Sequence, residues 1–422
     1  MTYSKHTLPN GLTIIEVPGD DAESVVVDFF VKTGSRSETA EENGISHFLE
    51  HFLFKGTEKY PSALAISSLI DSVGGEMNAN TGKEHTQFFI KAASKHAGLI
   101  FEVLTDMIQR PLLDAQELER EKGVIVEEIN MYKDNPMAEI ENVLEGLMWP
   151  GDPLGRDIAG TKETVTRFTR EMFQSYIRRH YQPSNIILGV SGKYNRKDLN
   201  ALIRSAWAKA PKKPFHKWTR AKDGQNAPRL KVQYKDTEQA HLNFGFKSYP
   251  YGDRRNAAVS VLSAILGGGM SSRLFIEVRE RRGLAYYVRA YPGSYQDTGV
   301  FSVSAGVQVG KIHEAVRVIM NELEKAKHGL VDEKELLKAK EYLKGRTTLA
   351  LEDNQVRLDW FLERAAFYKT IETPAQVFKQ IDAVTAKDLQ KAARGLFRPE
   401  GMSLAVIGPY KDDSEFKKTL KI

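Results

Sequence analysis

Cysteine is absent from the 422 residues of the sequence. This absence excludes disulfide bonds, thiolate zinc sites and a cysteine nucleophile. No apolar run approaches the roughly 20 residues that a membrane-spanning helix needs, so we expect no membrane association. The first residues, MTYSKHTLPNGLTII, have neither the basic and apolar regions of a signal peptide nor the Arg- and Ser-rich composition of a transit peptide. From these absences we expect a cytoplasmic protein.

An excess of one charge is also absent. The sequence has 60 Lys and Arg against 55 Asp and Glu, which gives a formal net charge of +5. This small charge is spread along the chain, so we expect no binding to nucleic acid. The hydrophobic content of 41% and the charged content of 27% are typical of a globular protein. The length suits two domains of about 200 residues each.

A polar stretch rich in lysine and proline lies near the middle of the chain. Its sequence, AKAPKKPFHKWTRAKDGQNAPRLK, has little hydrophobic periodicity and is typical of a linker. We therefore predict a first domain over residues 1–210, a linker over 211–231 and a second domain over 232–422.

The two parts on either side of this linker resemble each other. Each begins with two short strand patterns, LTIIEVP and SVVVDFFVKTG in the first part and LKVQYKD and AHLNFGFKS in the second. Farther on, LLDAQELEREKGVIVEE aligns with GLVDEKELLKAKEYLKG, with Leu118 opposite Leu336. This repetition predicts an α+β fold of two similar α/β-sandwich domains, each an antiparallel-rich sheet covered by helices, related by internal duplication. Two domains that are alike only by chance are the alternative.

The segment GISHFLEHFLFKG predicts a short helix from near Asn43 to Gly56 that contains an H-x-x-E-H motif. At about 3.6 residues per turn, His47 and His51 lie on the same face, so both imidazoles can bind one Zn²⁺. Glu50 lies beside them and is placed to take a proton from water without binding the metal. This order is the inverse of the commoner zincin motif. A surface helix with two unrelated histidines is the alternative.

Two histidines leave a hydrolytic zinc site one protein ligand short. A helix predicted between Asp114 and Pro136 offers candidates, since Glu121 and Glu128 lie on its apolar stripe and Glu127 points away from it. The stripe otherwise consists of Leu118, Val124, Ile125, Ile129 and Tyr132. A buried carboxylate needs a cation or strong hydrogen bonds, so we predict Glu128 as the third ligand and Glu121 as a supporting acid. Ordinary ion pairs at a domain boundary are the alternative for both acids.

Nearly the whole chain resembles the pitrilysin or insulinase family of zinc peptidases, and its size and order are most similar to the bacterial and mitochondrial-processing-peptidase β branch. The resemblance lies in TLPNGLTII, HFLEHFLFKGT and EREKGVIVEEI, and later in GDPLGRDIAGT, QPSNIILGVSG and LGGGMSSRLFIEVRERRGLAYYV. In this alignment the family's third metal ligand falls on Glu128 and its supporting acid on Glu121. Its substrate-binding arginine and tyrosine fall on Arg279 and Tyr286.

The segment GGEMNANTGKEHT resembles the family's edge strand that pairs with substrate, which places Asn78 and Ala79 there. The resemblance implies a zinc metalloendopeptidase with one Zn²⁺ per chain, with Glu50 as the general base and Glu121 and Tyr286 in support. Its substrates would be peptides or unfolded segments. The second half is then a degenerate copy without metal.

In the resembled family, complete enzymes enclose the substrate between two double-domain halves, and this chain has the length of one half. We therefore expect a homodimer whose active sites are shared between chains. Two alternatives remain. In the first alternative, the chain would be a catalytically silent peptide-binding or scaffolding subunit of a larger peptidase complex. In the second, it would be a metal-dependent hydrolase that acts on something other than peptides.

Overall fold

The computed structural model describes residues 1–19, 22–213, 218–222 and 224–420. In chain order, the strands in these residues are β1 (Ser4–Thr7), β2 (Thr13–Pro18), β3 (Ser24–Val31), β4 (Glu76–Thr81), β5 (Thr86–Ala93), β6 (Ile186–Gly192), β7 (Arg229–Tyr234), β8 (Gln239–Ser248), β9 (Ala285–Ser294), β10 (Gly299–Gln308) and β11 (Met402–Gly408). The α-helices are α1 (Ile45–Leu53), α2 (Ala63–Asp71), α3 (Ala97–Gln109), α4 (Ala115–Asp134), α5 (Pro136–Met148), α6 (Lys162–Arg167), α7 (Arg170–His180), α8 (Arg196–Trp207), α9 (Asn256–Ser263), α10 (Ile312–His328), α11 (Glu333–Ala350), α12 (Asn354–Phe367), α13 (Pro374–Ala383), α14 (Ala386–Leu396) and α15 (Ser414–Leu420). None of these helices combines the length and the apolar composition that crossing a bilayer requires.

The chain forms two compact units, and each unit takes segments from both halves of the sequence. Unit 1 consists of Met1–Asn130, Arg156–Thr219 and Leu349–Thr373. Unit 2 consists of Met131–Gly155, Arg220–Thr348 and Pro374–Ile422.

Unit 1 contains a six-stranded sheet in the order β1-β2-β6-β3-β5-β4. β2 and β6 are parallel, and the other neighbouring strands are antiparallel. Apart from Ser24 and Asp28, β3 is apolar along its whole length, SVVVDFFV, because both faces of the sheet are covered. On one face Val25 and Val27 share a core with α1, α3 and α7, and on the other face Val26 and Phe30 pack against α12.

Unit 2 contains a five-stranded sheet in the order β7-β11-β8-β10-β9. β7 and β11 are parallel, and the remaining neighbours are antiparallel. Helices α9, α10 and α14 contribute to the larger core on one face. On the other face Ile140 and Leu144 of α5 pack with Val300, Ala405 and Ile407 of the sheet.

The two sheets repeat one topology. The order β2-β6-β3-β5-β4 of unit 1 corresponds to β7-β11-β8-β10-β9 of unit 2, with the single parallel pair in the same place, and unit 1 adds β1. The predicted fold class, two similar α+β units related by duplication, is confirmed. In this correspondence β4 and β9 are equivalent, and each is the last strand at one edge of its sheet.

Two helices are exchanged between the halves of the sequence. α5 precedes the predicted linker and covers the sheet of unit 2, whereas α12 follows it and covers the sheet of unit 1. The predicted domains, 1–210 and 232–422, do not include this exchange, because periodicity identifies a helix but not the sheet that it covers. The chain passes from unit 1 to unit 2 at 219–220, within the predicted linker. Residues 214–217 and 223 of that linker lie outside the described residues.

Two acidic side chains meet where α12 covers the sheet of unit 1. Asp28 of β3 is fully buried, and the side-chain amide of Gln87 donates to both Asp28 and Asp359 at 2.5 Å. The amide of Gln355 donates to the same two carboxyl groups at 2.9 Å. Burial raises the pKa of Asp28 well above its usual value, and the charge of Asp359 raises it further. Burial also raises the pKa of Asp359.

We expect this acid pair to make the stability of unit 1 depend on pH. A carboxyl group whose pKa is raised on folding stabilises the fold below its unfolded-state pKa, near 3.8 for Asp28, and loses that contribution as the pH rises through the folded-state pKa. Asp359→Asn removes a charge that raises the pKa of Asp28. As the pH rises, the wild type therefore loses more stability than the variant does. Between about pH 5 and about pH 8, the free energy of unfolding of Asp359→Asn should rise by about 1 kcal/mol relative to that of wild type.

Chemical denaturation of both proteins at the two pH values measures this difference. Glu23→Gln, which changes an exposed acid just before β3, is the matched control and should leave the pH dependence unchanged. Equal pH dependence in Asp359→Asn and wild type would contradict the account.

Candidate metal centre

Helix α1 presents its histidines because its opposite face is held in the core of unit 1. That core includes Ile45, Phe48, Leu49, Phe52 and Leu53. The helix agrees with the one predicted between Asn43 and Gly56. The rings of His47 and His51 lie side by side on the other face, with centroids 4.8 Å apart. The helical spacing thus places two imidazoles next to each other without any contribution from a loop.

The first turn of α1 is held by Glu38, which was not predicted from the sequence. Its carboxylate accepts hydrogen bonds from the backbone N–H groups of Gly44 and Ser46, both at 2.8 Å, and from the Asn43 amide at 3.2 Å. Burial raises the pKa of Glu38 to about 7, although these hydrogen bonds act in the opposite direction. The N-cap residue itself is Gly44 at φ +98°, a conformation that side chains with Cβ rarely adopt. No cap motif in the sequence therefore points to Glu38.

Glu128 of α4 reaches both histidines. Its Oε1 lies 3.6 Å from Nε2 of His47, and its Oε2 lies 3.4 Å from Nε2 of His51. One donor atom from each of the three side chains lies within 4.8 Å of the other two. Glu127, its neighbour, is exposed and accepts a hydrogen bond from Asn130 instead. Of the two adjacent acids, the structure brings only Glu128 to the histidines.

These three side chains fit a zinc ion. Ligands at about 2.0–2.1 Å in a tetrahedron lie about 3.3 Å from one another, close to the separations between Glu128 and the two Nε2 atoms. In the described residues, the buried Oε2 of Glu128 and the buried Nδ1 of His47 make no hydrogen bond. Two imidazoles and one carboxylate are also a donor set of catalytic zinc sites, which keep a fourth position open.

The electrostatics of the cluster favour a charged carboxylate. Burial acts to lower the pKa of His47, but the nearby carboxylate of Glu128 outweighs it, so this pKa is raised. The proximity of His47 lowers the pKa of Glu128 against the effect of burial. Glu128 is therefore ionised at neutral pH, which is the state in which a carboxylate binds a cation.

Glu121 lies behind His51, as a supporting acid would. It is only 2% exposed, and its Oε1 lies 3.0 Å from Nδ1 of His51. Its Oε2 lies 2.6 Å from Nζ of Lys55, a residue that was not predicted. Burial acts to raise the pKa of Glu121, but hydrogen bonds from His51 and Lys55 outweigh it and the pKa is lowered. An ionised Glu121 accepts a hydrogen bond from Nδ1–H of His51, which leaves the Nε2 lone pair of that ring facing Glu128.

The apolar stripe predicted on α4 is only partly buried. Leu118, Ile125 and Ile129 lie in the core of unit 1, whereas Val124 and Tyr132 are 51% and 41% exposed. Val124 lies at the margin of the stripe, where the core no longer covers it. Tyr132 follows Asn130, the last residue of this helix that belongs to unit 1.

Glu50 is linked to the edge strand β4 through Thr81, another residue that was not predicted. The Thr81 hydroxyl donates to Oε2 of Glu50 at 2.6 Å. Asn78 and Ala79 lie on the same strand, and the backbone N–H of Ala79 donates to Oδ1 of Asn78 at 2.9 Å. Among the described residues, β4 has a neighbouring strand on one side only, which leaves its outer backbone groups available for an added strand.

Arg279 and Tyr286 belong to unit 2, where they contact each other. The guanidinium carbon of Arg279 lies 5.6 Å from the ring centroid of Tyr286 and 4.8 Å from that of Phe275. Tyr286 lies on the edge strand β9 and is 73% exposed. Arg279 also lines a cavity of about 610 Å³, together with the glycines at 267–269 and residues of β9.

Comparison with known proteins identifies relatives over both halves of the chain. Residues 16–162 match the sequence model "Insulinase (Peptidase family M16)", and residues 167–343 match "Peptidase M16 inactive domain". An uncharacterized zinc protease of Streptomyces coelicolor is 36% identical over 97% of this chain and 90% of its own length. An uncharacterized zinc protease of Bacillus subtilis is 35% identical over 96% of this chain and 98% of its own length.

Two solved structures share the fold. A protease from Helicobacter pylori superposes with a TM-score of 0.90 at 23% identity, covering 97% of this chain and 99% of its own. A structure from Pseudomonas fluorescens described as a peptidase M16 inactive domain superposes with a TM-score of 0.89 at 19% identity and the same coverage. Both cover the two units described above.

The geometry predicts how zinc affinity depends on the acids of α4. Glu128→Gln should weaken zinc binding more than about 100-fold, because it removes a charged ligand, whereas Glu127→Gln should leave the affinity unchanged. Glu121→Gln should fall between them, at about 10–100-fold. Competition with a chromophoric chelator, using metal-depleted proteins, measures these affinities. A larger loss in Glu127→Gln than in Glu128→Gln would contradict the assignment.

Proposed function

We propose a function for this chain on the basis of its family and its metal centre. The chain belongs to the insulinase family, peptidase family M16. On this proposal the protein is a zinc-dependent metalloendopeptidase that hydrolyses peptides or unfolded segments. The observation that carries the proposal is the convergence of His47, His51 and Glu128, with Glu50 beside them on α1. The names of the relatives, zinc proteases, support the metal and the reaction class.

His47, His51 and Glu128 would hold one zinc ion per chain. When bound, zinc lowers the pKa of a water at its open position to about 7 and polarises a carbonyl oxygen. Glu50 takes a proton as water attacks the scissile carbonyl and delivers it to the leaving amine. The Thr81 hydroxyl donates to Oε2 of Glu50, a contact that would orient the carboxylate for this proton transfer.

The substrate binds as an extended strand along β4. Main-chain hydrogen bonds to an edge strand do not depend on sequence, which favours unfolded segments over folded proteins. At Ala79, a substrate carbonyl would replace the side-chain oxygen of Asn78 as the acceptor of the backbone N–H. Binding and chemistry are then connected through Thr81, which lies on the strand and contacts the base. A cytoplasmic location and kinship with the β branch of mitochondrial processing peptidases stay predictions.

The role of Glu50 is tested by Glu50→Gln. This variant should keep its zinc, since Glu50 is not a ligand, and should lose about 10²–10⁴-fold in peptide cleavage, the usual value of general acid–base catalysis. Digestion of a quenched fluorescent peptide pool, with products mapped by mass spectrometry, measures cleavage, and Glu58→Gln at an exposed position nearby is the matched control. Near-normal cleavage by zinc-loaded Glu50→Gln would remove Glu50 from the mechanism. Zinc-loaded wild type that cleaves no peptide would favour the silent-subunit or non-peptide alternatives.

We further propose that the enzyme is a homodimer with two shared active sites. Each site would combine the zinc of one chain with Arg279 and Tyr286 of the other, whose hydroxyl would help to stabilise the oxyanion. The exposure of Tyr286 and its contact with Arg279 support this role, because both side chains are presented together at the surface of unit 2. Two-fold symmetry is also the commonest arrangement of homo-oligomers.

Mixing two inactive proteins tests the shared site. Glu50→Gln and the double variant Arg279→Ala/Tyr286→Phe should each be inactive alone and regain activity after subunit exchange, because a mixed dimer holds one site with both parts intact. Glu50→Gln mixed with Glu128→Gln is the matched control and should stay inactive, because both chains are then defective at the zinc. An active monomer in sedimentation, or no rescue despite proven exchange, would contradict the proposal.

A further inference from the structure

Lys55 lies just after α1 and contacts the acid behind one of the histidines. Its Nζ is 2.6 Å from Oε2 of Glu121, while Oε1 of the same carboxylate is 3.0 Å from Nδ1 of His51. The side chain of Glu121 is 3% exposed and that of Lys55 is 26% exposed. One buried carboxylate therefore connects a lysine to a candidate metal ligand.

Lys55 is the residue that compensates the charge of Glu121. A buried carboxylate without a cationic partner is costly, and a neutral imidazole offers a hydrogen bond but no charge. The basic residues beside Glu121 on α4 are engaged elsewhere, since Arg120 pairs with Glu117 and Lys122 pairs with Glu119. Apart from the His51 ring, Lys55 is the basic group within ion-pair distance of Glu121 in the described part of the chain.

The two oxygens of the Glu121 carboxylate have different partners. Oε2 contacts Lys55 and Oε1 contacts His51, an arrangement that would hold the ring of the histidine in one orientation. The Nε2 atom on the far side of that ring then lies 3.4 Å from Glu128. We propose that Lys55 is a positioning residue of the zinc centre, acting on His51 through Glu121. This inference rests on the proposed function, because it takes His47, His51 and Glu128 to be zinc ligands.

Zinc affinity of the metal-depleted protein is the readout, since it does not depend on turnover. Lys55→Met should weaken zinc binding about tenfold or more, as changes behind a ligand usually do. Lys55→Arg keeps a cation near Glu121 and should recover most of the affinity. Lys59→Met is the matched control, because Lys59 lies four residues farther on, is 53% exposed and pairs with Glu102 instead. It should bind zinc like wild type.

A double-mutant cycle shows whether Lys55 acts through Glu121. In a Glu121→Gln background, Lys55→Met should cause no further loss of affinity, because the group that it positions has lost its charge. Thermal unfolding of the metal-depleted proteins identifies any variant that fails to fold, and Lys55→Gln then replaces Lys55→Met.

The outcomes separate this inference from the proposed function. Wild type that binds no zinc overturns both. Wild type that binds zinc, with Lys55→Met binding equally tightly, overturns the role of Lys55 alone. A loss of equal size with and without Glu121 also overturns it, because the lysine would then act by another route. The role of Lys55 is supported by three results together. Lys55→Met binds zinc more weakly than wild type, Lys55→Arg recovers most of the affinity, and Lys55→Met causes no further loss in the Glu121→Gln background.

Discussion

The rest of the site depends on one contact, in which the carboxylate of Glu128 lies against the imidazoles of His47 and His51. An acid on the core-facing side of α4 is tolerated only where cationic or metal-binding partners meet it. α1 supplies those partners, and its buried apolar face fixes where they stand. The Nε2–oxygen separations of 3.4 and 3.6 Å leave room for an ion between the helices. The structure thus uses two rigid helices, rather than loops, to define the cluster.

Contacts from other parts of unit 1 support helix α1, His51 and Glu50. Glu38 caps the first turn of α1, Glu121 holds the ring of His51, and Thr81 at the end of β4 holds Glu50. Such supporting contacts limit the motion of the reacting groups, which is what precise catalytic geometry requires. Because Thr81 lies on the edge strand, the position of the base is connected to the strand on which a peptide would bind.

Helical periodicity predicted those features of the site that depend on spacing within a single helix. It placed the two histidines on one face and chose Glu128 over Glu127, and the structure brings those three side chains together. It could not identify Glu38, Lys55 or Thr81, whose contacts bring together residues from separate elements and leave no periodic pattern. The exchange of α5 and α12 between the halves of the sequence was not predicted for the same reason: an amphipathic helix reveals its apolar face but not the sheet that it covers.

The central claim is that His47, His51 and Glu128 bind one zinc ion per chain. Anomalous diffraction at the zinc absorption edge, from crystals of the zinc-loaded protein, tests this most directly. The account predicts one strong peak per chain, at about 2.0–2.1 Å from the Nε2 atoms of both histidines and from a carboxylate oxygen of Glu128. No peak at this position, or a peak whose third protein ligand is Glu50 or Glu127, would contradict it.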